Sequence, residues 1–114
     1  LNPVDACLRL EDFLKRFDGP LLFAGHNISF DLAFVKRLYR CAERQMPDFI
    51  SHRSIDTHTM LWAAVQSRRL PEGVCSSDGA FKHFKIEPPE EKRHTALADA
   101  IATQKLLKTL LELS

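Results

Sequence analysis

The order of elements along this chain, helix, strand, helix, strand and then helices, predicts an α/β fold with parallel strands. Two observations carry that reading. Leu21-Leu22-Phe23-Ala24 is a short continuous apolar run between turn-forming residues, the form taken by a strand buried on both faces of a parallel sheet. On either side, apolar residues recur at helical spacing: Val4, Cys7, Leu8, Leu10, Phe13, Leu14 and Phe17 before it, and Phe30, Ala33, Phe34, Leu38 and Cys41 after it.

The first helix opens on Asn2-Pro3, because Asn caps free amides and Pro is tolerated in the first turn; Asp18-Gly19-Pro20 closes it near residue 17. The strand at 21 to 24 runs straight into Gly25-His26-Asn27, after which Ser29 is placed to cap a second helix reaching about Glu43, and Pro47 bars continuation. Ser54-Ile55-Asp56-Thr57 is a weaker strand, followed by a helix holding Met60, Leu61, Trp62, Ala64 and Val65 that ends before Pro71. Residues 71 to 79 are rich in turn formers, and Ser77 or Asp78 is placed to cap a short helix carrying Phe81 and Phe84. Pro88-Pro89 then enforces an extended link, and the last helix runs from about Thr95 to Leu113. Two strands make a poor sheet, so further strands are expected from other sequence or another chain. Residues 1–114 are read as a single, partial domain.

With 45% hydrophobic and 27% charged residues the composition is that of an ordinary globular domain. A formal charge of +1 provides no global field toward long duplex nucleic acid, so any such contact must be local. Lys36, Arg37, Arg40 and Arg44 on one predicted helix, and Lys82, Lys85, Lys92 and Arg93 further on, are either such local patches or solvated faces. Cys7, Cys41 and Cys75 are odd in number and widely spaced, which argues against a disulfide framework and for a reducing, cytoplasmic setting. No apolar run approaches the ~18 residues of a membrane span, and no signal-peptide pattern opens the chain. A helix that begins at once after Leu1 reads as a fragment or a processed chain.

Two stretches carry the chemistry. In Gly25-His26-Asn27-Ile28-Ser29-Phe30-Asp31, a carboxylate falls in the first turn of a helix at the carboxyl edge of a sheet, where α/β proteins place ligands and where free amides favour negative charge. In His94-Thr95-Ala96-Leu97-Ala98-Asp99-Ala100, five residues of helix turn ~500°, so His94 and Asp99 converge only if His94 lies in the loop before the helix. Glu90-Glu91-Lys92-Arg93 suits such a loop, while Ala96, Ala98, Ala100 and Ala102 allow close helix approach. His52, Asp56 and His58 match no usual zinc spacing.

Together the two stretches resemble the second and third motifs of the DnaQ-like 3′-to-5′ exonucleases that use four acids and a histidine, a family that includes the proofreading subunit of bacterial DNA polymerase III. The resemblance implies an RNase H-like exonuclease fold and hydrolysis of phosphodiesters at the 3′ end of a single strand, DNA or, in related enzymes, RNA. It also implies Asp31 and Asp99 as ligands of two Mg²⁺ or Mn²⁺ ions, and His94 as the base that deprotonates the attacking water. His26, Asn27 and Phe30 would line the pocket for the terminal nucleotide, with Phe30 offering a stacking face. The physics is consistent: hard oxygen ligands suit these ions, and a His near neutral pKa is matched to that proton. Ile55-Asp56-Thr57 resembles the family's penultimate strand and cap, so Asp56 is read as a cap rather than a ligand.

The family's first motif, Asp-x-Glu, supplies the other two carboxylates and occurs nowhere here. The fold is therefore expected to be incomplete, with at most one divalent ion held weakly and little or no activity in this chain by itself. A strand stripped of its neighbours exposes an edge, so self-association or a polymerase partner is expected. A non-catalytic binding or assembly module is the alternative from another class.

Overall fold

The computed structural model describes residues 1–113. They form two compact units, one of Leu1–Ala24 with Ile28–Ile55, the other of Gly25–Asn27 with the residues from Asp56 onward.

In the first unit, α1 spans Pro3–Leu14, opened as expected by Asn2, whose side chain accepts a hydrogen bond from the Asp5 amide at 2.9 Å. It stops three residues short of the expected end, and Val4, Leu8, Phe13 and Phe17 stay exposed while Cys7 and Leu14 are buried. Helix α2, Ile28–Cys41, starts ahead of Ser29, so Ser29 is inside the first turn and is not its cap. The buried stripe of α2 also differs from the expected one. Ile28, Tyr39 and the following Ala42 are buried, whereas Phe30, Ala33, Phe34 and Cys41 are exposed. At ~100° per residue, Phe30, Phe34 and Cys41 lie about 200–240° around the helix from Ile28, which accounts for their opposite fate. Both stripes are apolar, and spacing alone does not choose between them.

Helices α1 and α2 are joined by a polar contact inside their interface. The Tyr39 hydroxyl donates to Glu11 Oε2 at 3.0 Å, and Arg44 Nη2 approaches both Glu11 carboxylate oxygens at 3.4 Å. Burial, followed by the Glu11 carboxylate, pushes the Tyr39 phenol far above its usual pKa, so it remains the donor. Arg44 is thus tied to Glu11 rather than to a free basic face. Strands β1, Leu21–Gly25, and β2, Ile50–Asp56, form a two-stranded parallel sheet, β2 beginning four residues earlier than its pattern suggested. Leu21 N donates to Phe49 O at 2.8 Å. With two strands among the described residues, Leu22 is 45% exposed, so β1 is not buried on both faces.

The second unit is helical: α3 is Thr57–Gln66, α4 is Ser77–Phe84, a single 3₁₀ turn covers Glu90–Lys92, and α5 is Ala96–Leu113. Asp56 caps α3, accepting from the His58 amide at 2.9 Å. Ser76, one residue before the expected cap, caps α4 by accepting from Gly79 N at 3.0 Å. Gly79 cannot be replaced cheaply, since a Cβ there would come 2.1 Å from the Gly73 carbonyl oxygen. The core gathers Leu61 of α3, Ala80 and Phe81 of α4, and Ala102, Leu106 and Leu110 of α5, closed by Leu70 and Val74. Ala102, 2% exposed, is one of the small residues expected to permit close approach of α5. Among the described residues, no helix is long and apolar enough to cross a membrane.

Leu106 is fully buried, so Leu106→Ala is expected to cost about 2–5 kcal/mol in a urea titration. Leu111, 59% exposed on the same helix, is the control: Leu111→Ala should change stability by less than about 0.5 kcal/mol. Equal losses at the two positions would contradict the core assignment.

Candidate active site

The turn after β1 is held from below by the start of α3. Asp56 Oδ1 accepts from the Asn27 amide as well as from His58, each at 2.9 Å, and Asn27 takes a left-handed conformation with φ 55°. Asn is among the few residues that tolerate this backbone region at little cost. Thr57, fully buried, donates its hydroxyl toward the Gly25 carbonyl at 3.4 Å and shares a 3.1 Å hydrogen bond with His26 Nδ1. The His26 and His58 rings meet edge to face at 5.4 Å. Burial, then the neighbouring His58, lowers the His26 pKa against the opposing pull of Asp56 and a backbone hydrogen bond at Cys75. His26 is therefore a neutral ring fixed in the turn.

His94 lies, as the geometric argument required, in the loop between the 3₁₀ turn and α5. Its φ of 72° is left-handed, a conformation that costs a residue with a Cβ about 1–2 kcal/mol. Two contacts of Asp99 offset that cost. Asp99 Oδ1 accepts from the His94 amide at 3.2 Å and from Arg93 Nη1 at 2.6 Å, so a first-turn carboxylate reaches back to hold the loop in front of its own helix. Thr95 adds a hydroxyl hydrogen bond to Lys92 O at 2.7 Å.

Arg93 is the residue that sequence reasoning placed wrongly, as part of a basic approach to the motif. Its side chain is 15% exposed and ties three elements together. The guanidinium donates to Asp78 Oδ1 through Nε at 2.9 Å and also through Nη2, to Ser77 Oγ at 3.4 Å, and to Asp99, while its plane lies 5.0 Å over the Phe81 ring. Burial pulls its pKa down, yet the hydrogen bonds it donates to Asp78 and Asp99 outweigh burial and the net shift is upward. The same pairing lowers the Asp78 pKa. Asp78 was read only as a possible cap. Its position two residues after the Ser76 cap gave no signal of this contact.

Phe30 and Asp31 lie on the first turn of α2, both exposed, with the Phe30 ring edge to face with Phe34 at 5.0 Å. They belong to the first unit, whereas His26, Asn27, His94 and Asp99 belong to the second. Within the second unit the His94 backbone amide donates to Asp99, while His26 and Asn27 bond to the Asp56–Thr57 helix start.

Among the described residues, no group of three or more His, Cys, Asp or Glu side chains is arranged to hold a metal ion. Asp99, one of the two expected ligands, spends its Oδ1 on a guanidinium and an amide. The residues present do not fit the two-ion site that the resemblance implied.

A loop histidine whose backbone amide is held by a first-turn aspartate lies in a chain whose elements alternate as in an α/β fold. The exonuclease family RNase_T matches residues 5–107, nearly the whole chain, and the chain belongs to the DnaQ-like exonuclease family. The DNA polymerase III PolC-type protein of Latilactobacillus sakei subsp. sakei (strain 23K) is 36% identical over 99 residues. That alignment covers 84% of this chain and 6% of the relative, so the chain spans a small part of that protein's length. No solved structure gives a significant match.

Because the folded pKa of His26 lies below its ordinary 6.5, the unfolded chain binds this proton more readily than the folded one. The stability contributed by the neutral ring is thus present above pH 6.5 and lost as pH falls toward the lowered value. Urea midpoints at about pH 7.5 and about pH 5.5 should fall with acid in the native chain and fall less in His26→Gln. Identical pH profiles would contradict the reading of His26 as a neutral ring.

Proposed function

We infer that residues 1–114 are one partial domain of a 3′-to-5′ exonuclease that removes nucleoside monophosphates from single-stranded DNA. The observation that carries this reading is the family match over residues 5–107, which includes both motifs, combined with the loop placement of His94 on Asp99. His94 is exposed and is the proposed base, taking a proton from the water that attacks the terminal phosphodiester. Phe30, 67% exposed, provides a stacking face for the terminal base, and His26 and Asn27 are proposed substrate-binding residues. Asp31 and Asp99 are the carboxylates this chain contributes to a site that in complete relatives uses divalent ions and an Asp-x-Glu pair. The chain by itself is weak or inactive, since that pair is absent from its sequence. The similarity to a polymerase III protein supports a replicative or repair setting in the cytoplasm, with a polymerase or a second copy as partner.

A non-catalytic assembly module is the second reading. The engagement of Asp99 by Arg93 favours it, because a module has no need of an open carboxylate.

The test is a gel assay on 5′-labelled single-stranded DNA with Mn²⁺, run on this chain and on a longer protein that carries an upstream Asp-x-Glu strand. Expected are little or no release by this chain, stepwise 3′ shortening by the longer protein, and a loss of roughly 100-fold or more in His94→Ala of the latter. Rapid metal-dependent release by the isolated chain that vanishes in Asp99→Ala would overturn its assignment as inactive. No shortening of DNA or of a matched RNA by the longer protein would overturn the nuclease reading and leave the module.

A further inference from the structure

We propose that the outward face of α2, formed by Phe30, Phe34, Arg37 and Arg40, is a track for single-stranded DNA that continues from the terminal base on Phe30 toward the carboxyl end of the helix. The track extends the site proposed above and rests on that reading for its polarity, since Phe30 is there the seat of the 3′ base.

The face is set by what the helix buries. Ile28, Tyr39 and the following Ala42 anchor α2 on one side, Tyr39 through its 3.0 Å bond to Glu11 of α1, so the opposite side is held outward. At ~100° per residue, measured around the axis from Ile28, Phe30 falls at about 200°, Phe34 at about 240°, Arg37 at about 180° and Arg40 at about 120°. All four are exposed, Phe34 by 58%. Lys36 and Asp31 lie about 80° and 60° from Ile28 in opposite directions, so they flank this stripe rather than belong to it.

Along the stripe the rings come first and the guanidiniums follow. The Phe30 and Phe34 centroids are 5.0 Å apart with planes inclined by 67°, so each ring offers its face to a separate base. Such stacking tolerates any sequence, because every base has a π-face. At ~1.5 Å per residue, Arg40 lies ~15 Å along the axis from Phe30, with Arg37 between, where both meet the phosphates upstream of the stacked bases. Arg37 and Arg40 take no part in an ion pair among the described residues, unlike Arg44, which Glu11 holds.

Charge selects the occupant. A polyanion with flat apolar faces satisfies rings and guanidiniums together, whereas an apolar partner helix would cover the cations without pairing them. A second copy meeting this face with its own would bring two more guanidiniums and no carboxylate on the stripe. With a formal charge of +1 over the whole chain, attraction to phosphate has to arise from a local patch of this kind.

The experiment is fluorescence anisotropy of a 5′-fluorescein oligo(dT) with the 114-residue chain in EDTA, repeated with an abasic strand of the same length. Phe34→Ala is expected to weaken oligo(dT) binding about 5- to 100-fold and to leave the abasic strand unaffected. Ala is favourable on the solvent side of a helix, so this variant keeps its fold, and the arginine variants report independently of it. Arg37→Gln and Arg40→Gln should weaken both strands, each reducing the slope of log affinity against log salt by ~0.7, and Lys36→Gln, off the stripe, should change it less. No binding by the native chain, equal losses of the two strands in Phe34→Ala, or a salt slope unchanged in both arginine variants would overturn the track. So would a native dimer in sedimentation that Phe34→Ala separates while DNA affinity stays the same, which would assign the face to self-association. EDTA removes divalent ions, so no readout depends on cleavage. Failure of the exonuclease assay on the longer protein would leave the track standing as a binding surface, and unaffected α2 variants would leave the exonuclease reading standing.

Discussion

The Arg93 guanidinium is one cation shared among acceptors on two helices, and the form of the second unit's loop follows from keeping it satisfied. Its donors go to Asp78 and Ser77 at the start of α4 and to Asp99 in the first turn of α5. The Arg93 side chain is 15% exposed and its carboxylate partners Asp78 and Asp99 are 59% and 32% exposed, and these ion pairs flank the loop in which His94 takes its left-handed conformation. The aromatic face of Phe81 completes the seat and couples it to the helical core.

The same weighing explains why the first unit looks unfinished. Its core is the small set Cys7, Tyr39 and Ala42 with Leu10, Val35, Leu38 and Met46 packed against it, organised around the Glu11–Tyr39–Arg44 contact. Phe13, Phe17, Phe30 and Phe34 are half or more exposed, and a two-stranded sheet leaves Leu22 open as well. Burying a large apolar side chain is worth ~1.5–3 kcal/mol, so this much uncovered aromatic surface is a substantial unused driving force. It accords with a chain whose curated relative is far longer.

Much of this was legible in the sequence, and the parts that were not share a cause. The helix openings at Asn2 and Asp56 were readable because capping is local: a short polar side chain two or three residues before an apolar run has one economical use. The loop position of His94 was readable from helix geometry, as ~500° between it and Asp99 excludes a shared helical face. What failed were choices that depend on distant neighbours. The face of α2 that is buried was misread because two apolar stripes run along it, and the one bearing Tyr39 won through its bond to Glu11, 28 positions away. Arg93 was misread because a basic residue beside basic residues looks solvated, and the carboxylate that captures it, Asp78, lies 15 positions earlier.

The central claim is that Arg93 is locked between Asp78 and Asp99. Arginine side-chain nitrogen NMR near neutral pH addresses it directly, because a guanidinium held by a planar fork rotates and exchanges slowly. The account predicts separate, slowly exchanging Nη signals for Arg93 that collapse to an average in Asp99→Asn. A single averaged signal in the native chain, indistinguishable from that of the exposed Arg68, would contradict it.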